Sequence, residues 1–180
     1  MRIAFLMAPD GVEQIELTEP WDAVSETGET PQLISTKPGE IQAFDHLTPA
    51  KTFPVDATVD QVSVDDFEAL VLPGGVANPD ALRLDPRAVS FVRGFFTAGK
   101  PVAAICHAPW TLIEADVIDG RTLTSWPSLK TDLVNAGATW VDERVRIDSD
   151  GPNTLVTSRK PADLRYFNEA MLSEFGKVNA

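Results

Sequence analysis

The sequence predicts an α/β protein whose core is a mostly parallel β-sheet covered by helices on both faces. Three observations lead there. Strand-like and helix-like segments alternate along the chain. Several strand candidates, such as Ala69-Leu70-Val71-Leu72 and Pro101-Val102-Ala103-Ala104-Ile105, are apolar throughout instead of every second residue, which is the pattern of a strand buried on both faces. Three of the helix candidates stop at glycine, at Gly28, Gly99 and Gly137.

Residues 3–8 read as the first buried strand, 12–27 as a helix ended by Gly28, and 32–36 as a second strand. Between Pro38 and Asp60, the runs 41–44 and 52–55 read as a hairpin. Residues 69–72 form a strand closed by the turn Pro73-Gly74-Gly75. The segment 86–99 opens on Pro86 and places Val89, Val92, Phe95 and Phe96 on one side of an amphipathic helix. A strand at 101–105 then gives way to a helix from Ala108, on which Trp110, Leu112 and Ile113 are spaced for one face. A strand near 122–125, a helix at 128–136, strand-like runs at 139–147 and 154–157, and a last helix from Pro161 to about Phe175 complete the order. With no repeat, low-complexity tract or linker, residues 1–180 are expected to form a single domain.

Composition narrows the function classes. With 180 residues, 43% of them hydrophobic and 23% charged, the chain can bury a full core. A formal charge of −12 excludes a nucleic-acid surface, which needs Lys and Arg against phosphate, and an anionic membrane for the same reason. No apolar run reaches transmembrane length, and Met1 leads straight into a strand instead of a secretory leader. One cysteine cannot build a disulfide framework, so a reducing cytoplasm is expected. Two histidines and one cysteine give no zinc spacing, and neither a G-x-G-x-x-G nor a P-loop motif is present; no metal and no cofactor is expected.

The chemistry concentrates at Cys106, on a tight turn between the 101–105 strand and the next helix. A sulfur near the free N–H groups of a helix start is expected to have a lowered pKa, and His107 is an adjacent proton acceptor. A lone cysteine also serves as a small buried hydrophobe, and these residues alone leave both roles open. In an open parallel sheet, ligands gather beyond the carboxyl ends of the strands, where residues 7–16, 73–80 and 106–110 converge. Gly74 and Gly75 either form a plain turn or bring the Gly75 N–H to an oxyanion, with the His107 N–H as its second donor. Glu13 and Glu16, three residues apart in a first helical turn, either complement the helix dipole or face the thiol. Asp80 is a helix cap or the acid that orients His107. Trp110 and Trp126 are core or pocket wall, and His46, with no chemical neighbour in the sequence, is assigned no role.

Taken together, residues 69–75 (ALVLPGG), 99–110 (GKPVAAICHAPW), 124–128 (TSWPS), 135–142 (NAGATWVD) and 157–164 (TSRKPADL) resemble the ThiJ/PfpI superfamily, on its PfpI-type intracellular protease branch. The resemblance implies a flavodoxin-like, class I glutamine amidotransferase-like sandwich. It further implies that Cys106 is an elbow nucleophile, that His107 belongs to a Cys–His–acid triad, and that the elbow-tuning glutamate falls on Glu16 within 11–16 (GVEQIE). In protease-type members the triad acid is a Glu supplied across a subunit contact, and the matching segment here contains Asp80. A homodimer or hexamer of dimers is implied, with a peptide or small molecule as substrate. The implied activities are a cysteine-dependent peptidase or amidase, a deglycase or glyoxalase-like enzyme acting on methylglyoxal or its adducts, or a redox-sensing stress protein without turnover.

Overall fold

The computed structural model describes residues 1–179. The order begins with β1 (Arg2–Met7), β2 (Asp10–Glu13), α1 (Gln14–Glu26), β3 (Thr30–Ser35), β4 (Glu40–Asp45), β5 (Thr48–Pro54) and β6 (Ala57–Thr58). It continues with β7 (Ala69–Leu72), α2 (Ala77–Leu82), α3 (Pro86–Thr97), β8 (Val102–Ile105), α4 (Pro109–Glu114) and β9 (Thr122–Leu123). The last elements are α5 (Lys130–Asn135), β10 (Thr139–Trp140), β11 (Val145–Asp148), β12 (Leu155–Ser158) and α6 (Leu164–Gly176). The central sheet runs β11-β12-β8-β7-β1-β3-β6. Its pairings are parallel except at the edge, where β11 is antiparallel to β12. No helix among the described residues is long and apolar enough to cross a membrane.

The all-apolar strands are explained by what lies on each face. Ala4, Leu6, Leu70, Leu72, Val102 and Ala104 point to one side and pack with α3 and α4 through Val92, Phe95 and Leu112. Ile3, Phe5, Val71, Ala103 and Ile105 point to the other and meet α1 and α6 through Leu17, Val24, Phe167 and Met171. A polar side chain on either side of β1, β7 or β8 would be trapped without water. Helix α3 shows the local logic: Asp85 caps it by accepting from the N–H groups of Arg87 and Ala88, and Pro86 stands at its first position. Its buried Phe91, Val92, Phe95 and Phe96 each contribute about 1.5–3 kcal/mol by leaving water.

Several boundaries move for tertiary reasons. The first helix starts at Gln14, because Asp10–Glu13 leaves as a strand that pairs with β4 in a second sheet, β2-β4-β5. The expected hairpin is β4 and β5, and this small sheet carries it to the edge of the site. Helix α2 has no capping side chain at its start; it begins at Ala77, so Asp80 lies within it and does not cap it. The expected strand at 139–147 divides into β10 and β11, which join different sheets. Beginning at β1, the chain builds outward through β3 and β6 before crossing to β7, so the order reverses between β1 and β7. Beyond the carboxyl ends of β1, β7 and β8, around that reversal, lies the crevice.

Candidate active site

Cys106 follows β8 directly and holds a left-handed backbone with φ of 64°. A non-glycine residue there costs about 1–3 kcal/mol and persists only when its surroundings enforce it. They do so from both sides: its N–H donates to the Ser158 carbonyl at 3.1 Å, and its carbonyl accepts the Trp126 N–H at 2.9 Å. The sharp turn lifts the sulfur off the sheet. His107 follows, with Nδ1 at 3.2 Å from Cys106 Sγ.

The glycines of the neighbouring turn are required by space. A Cβ on Gly74 would lie 2.6 Å from Cys106 Cβ and 2.7 Å from the Ile105 carbonyl oxygen. Gly75 has φ of +78°, and a Cβ there would lie 2.7 Å from the Glu13 nitrogen. The turn is held by Asn78, which is fully buried. Its Nδ2 donates to the Pro73 and Gly74 carbonyls at 3.0 Å each, while Oδ1 accepts the Ala8 N–H at 2.7 Å. One side chain thus ties the end of β7 to the end of β1. The N–H groups of Gly75 and His107 both approach the Cys106 sulfur, and neither serves a backbone carbonyl among the described residues.

Glu16, in the first turn of α1, is fully buried, and its Oε2 accepts the Gly74 N–H at 3.0 Å. Oε1 has no hydrogen-bond partner among the described residues. Burial, reinforced by the charge of Glu13, pushes the Glu16 carboxyl up to about 8, against a hydrogen bond with Cys106 that lowers it. Burial and a charged Glu16 together push the Cys106 thiol above its ordinary value of 9.0. This corrects the expectation of a lowered thiol pKa. Helix α4 has only six residues and opens with proline, so its dipole is outweighed by desolvation. Glu16 and Cys106 therefore titrate as a pair, and near neutrality the thiol keeps its proton until a base accepts it. His107 is that base in position: burial lowers it to about 4, which leaves the imidazole neutral at physiological pH. Its ring stacks on Trp126 at 5.6 Å and 21° and meets Trp110 edge-on at 5.1 Å.

These groups open onto a cavity of about 440 Å³ whose wall includes Glu13, Glu16, Gly75, Cys106, His107 and Trp126. A larger cleft of about 510 Å³, between Pro9, Lys37, Ala81 and Arg87, is lined by neither cysteine nor histidine. Trp110 is not on the reactive cavity's wall; it backs His107 while its Nε1 donates to Asp132 at 3.0 Å. Gly74 also lies beneath the wall instead of on it. Asp80 is exposed on α2 and makes no hydrogen bond to His107 within the chain. The helix begins at Ala77, so Asn78, Pro79 and Leu82 face inward and Asp80 faces out. The imidazole has no carboxylate partner among the described residues of this one chain.

Two participants escape sequence reasoning. Asn78 is one; its partner Ala8 lies 70 positions away, and nothing local marks it. The other is His46, at the β4–β5 tip with φ of 55°, whose N–H donates to Glu13 Oε2 at 3.1 Å and whose Nδ1 lies 3.7 Å from Oε1. His46 also lines the cavity, which corrects its assignment to no role. Donor atoms of Glu13, Asp45 and His46 come within 4.8 Å of one another, which is the one place among the described residues where a cation could find three such donors.

Comparison with known proteins agrees with this arrangement. The DJ-1/PfpI family model matches residues 1–174. Deglycase PH1704 of Pyrococcus horikoshii is 43% identical over 178 residues, covering 99% of each chain. Protein/nucleic acid deglycase 2 of Escherichia coli is 42% identical over 175 residues, covering 97% of this chain and 98% of its own. Among solved structures, a two-domain protein of Anabaena variabilis with DJ-1/ThiJ/PfpI-like and ferritin-like domains superposes with a TM-score of 0.88 at 32% identity, over 98% of this chain and 50% of that one. With a mostly parallel sheet, a left-handed cysteine at its carboxyl edge and a match along nearly its whole length, the chain belongs to the DJ-1/PfpI family.

Proposed function

We propose that this protein is a cysteine-dependent hydrolase of the deglycase type, removing carbonyl-derived adducts from nitrogen groups. The observation that carries the reading is Cys106 Sγ at 3.2 Å from a neutral His107 Nδ1, with the N–H groups of Gly75 and His107 directed at the sulfur, on the wall of a 440 Å³ cavity. The names of relatives at 42–43% identity support deglycation over peptide cleavage. The cavity supports an adduct over free methylglyoxal, since it has far more room than three carbons occupy.

The chemistry follows from the geometry. His107 Nδ1 takes the thiol proton as sulfur bonds to the carbinol carbon of the adduct; the C–N bond breaks and the amine leaves with a proton. The resulting hemithioacetal shifts a proton from the carbinol carbon to the adjacent carbonyl carbon through an enediol, giving a thioester. The N–H groups of Gly75 and His107 stabilise the developing oxyanion, and protonated Glu16 donates toward sulfur and oxygen. Water hydrolyses the thioester, so adduct plus water yields free amine and a 2-hydroxy acid. A carboxylate from a second copy facing the free ring nitrogen of His107 would raise its basicity, as the family resemblance implies. The test is release of 2-hydroxy acid together with free amine from a methylglyoxal-treated amino acid. Cys106→Ala should abolish both while keeping the fold, and equal turnover by that variant would overturn the mechanism.

A further inference from the structure

We infer that the cavity selects substrates carrying a cationic nitrogen beside the reacting carbon, and that the Glu13 carboxylate makes the selection; this deepens the hydrolase reading above and rests on it. Glu13 is only 8% exposed yet lies on the cavity wall together with Cys106. Both of its oxygens face the His46 N–H, at 3.1 and 3.4 Å, which fixes the carboxylate's direction. No Lys or Arg lines the cavity, and the one basic side chain facing the carboxylate is the imidazole of His46, whose Nδ1 lies 3.7 Å from Oε1. The other titratable wall groups are Glu16, Cys106, His46 and His107, and Asp45 adds a second carboxylate close to Glu13. Phe44 and Trp126 supply aromatic surface, which suits a guanidinium or ammonium group and its stem. An anionic adduct would meet only like charge.

Because the chain has one cysteine, the field at the reacting sulfur can be read without turnover. The probes are three methanethiosulfonates, bearing a methyl, a trimethylammonium or a sulfonate group; each transfers its thioalkyl group to Cys106 and releases methanesulfinate. Rates on the folded protein are divided by those on the urea-unfolded chain. The wild type should favour the cationic over the anionic probe, and E13Q should reduce that ratio by about fivefold to tenfold. Glutamine still accepts the His46 N–H, so the wall keeps its shape. Glu26→Gln, at an exposed position late in α1, removes the same formal charge outside the cavity and should leave the ratio near the wild-type value. An unchanged ratio in E13Q, or an equal fall in E26Q, overturns the inference while leaving the hydrolase reading intact. No labelling by the methyl probe would show a closed thiol and overturn both.

Discussion

Glu16→Gln should stabilise the fold and impair the chemistry, and the first effect can be worked from the structure. The buried carboxyl titrates at about 8, against an ordinary value of 4.5 in the unfolded chain. Between those values the folded protein keeps a proton that the unfolded chain has released, so raising the pH favours unfolding. Below 4.5 both states are protonated, and the contribution of the neutral carboxyl is fully present. The interval from 4.5 to about 8 spans about 3.5 pH units, and 1.36 kcal/mol per unit gives about 5 kcal/mol. Glutamine does not titrate, and its carbonyl can still accept the Gly74 N–H. Urea unfolding of both proteins at intervals from pH 4.5 to 8.5 measures the difference, in which the other titrating groups cancel. The stability gap should widen in favour of E16Q as pH rises and level off above 8. A gap that does not depend on pH would refute the assignment of a protonated, buried Glu16.

Other positions give sharper local tests. Asn78→Ala strands the Ala8 N–H and two turn carbonyls, so urea unfolding should show a loss of about 2–4 kcal/mol, with a fall in turnover beyond what the unfolded fraction explains. Gly74→Ala drives a methyl into Cys106 and Glu16; folded protein recovered from it should alkylate Cys106 with an altered pH profile, and a wild-type profile would contradict the packing. Turnover should disappear as pH falls through about 4, where His107 gains the proton that disables it as a base, and activity persisting at pH 3 in folded enzyme would exclude that role. Asp80→Asn should leave alkylation of the monomeric chain unchanged, since that side chain faces solvent.

The sheet was legible because a strand covered on both sides has no polar positions: 69–72 and 101–105 declare themselves by composition. The elbow was legible for the same reason, a wholly small and apolar strand running into Cys-His-Ala-Pro. Short elements held by tertiary pairing were not. Asp10–Glu13 looks like a helix start until β4 arrives beside it, and α2 has neither a cap nor the length to show a period. That short helix carries Asp80 outward, away from the His107 of its own chain. The thiol was misjudged because a strand-to-helix junction is visible in sequence whereas desolvation is not. Only in the folded chain does Glu16 stand beside Cys106 with no water to share its charge. His46 and Asn78 are local nonentities whose partners lie 33 and 70 positions away.

The most direct measurement is the rate of iodoacetamide alkylation at the sole cysteine as a function of pH, in wild type and E16Q. If the buried Cys106 faces Glu16, the wild-type rate is low through neutrality and rises only above the ordinary thiol value of 9.0, because burial and the Glu16 carboxylate both hold the proton on sulfur. In E16Q the carboxylate charge that helps hold the proton on sulfur is gone, and the midpoint moves down towards the ordinary thiol value of 9.0. A wild-type rate already at its plateau by pH 6, or a midpoint that E16Q leaves in place, would contradict the pairing.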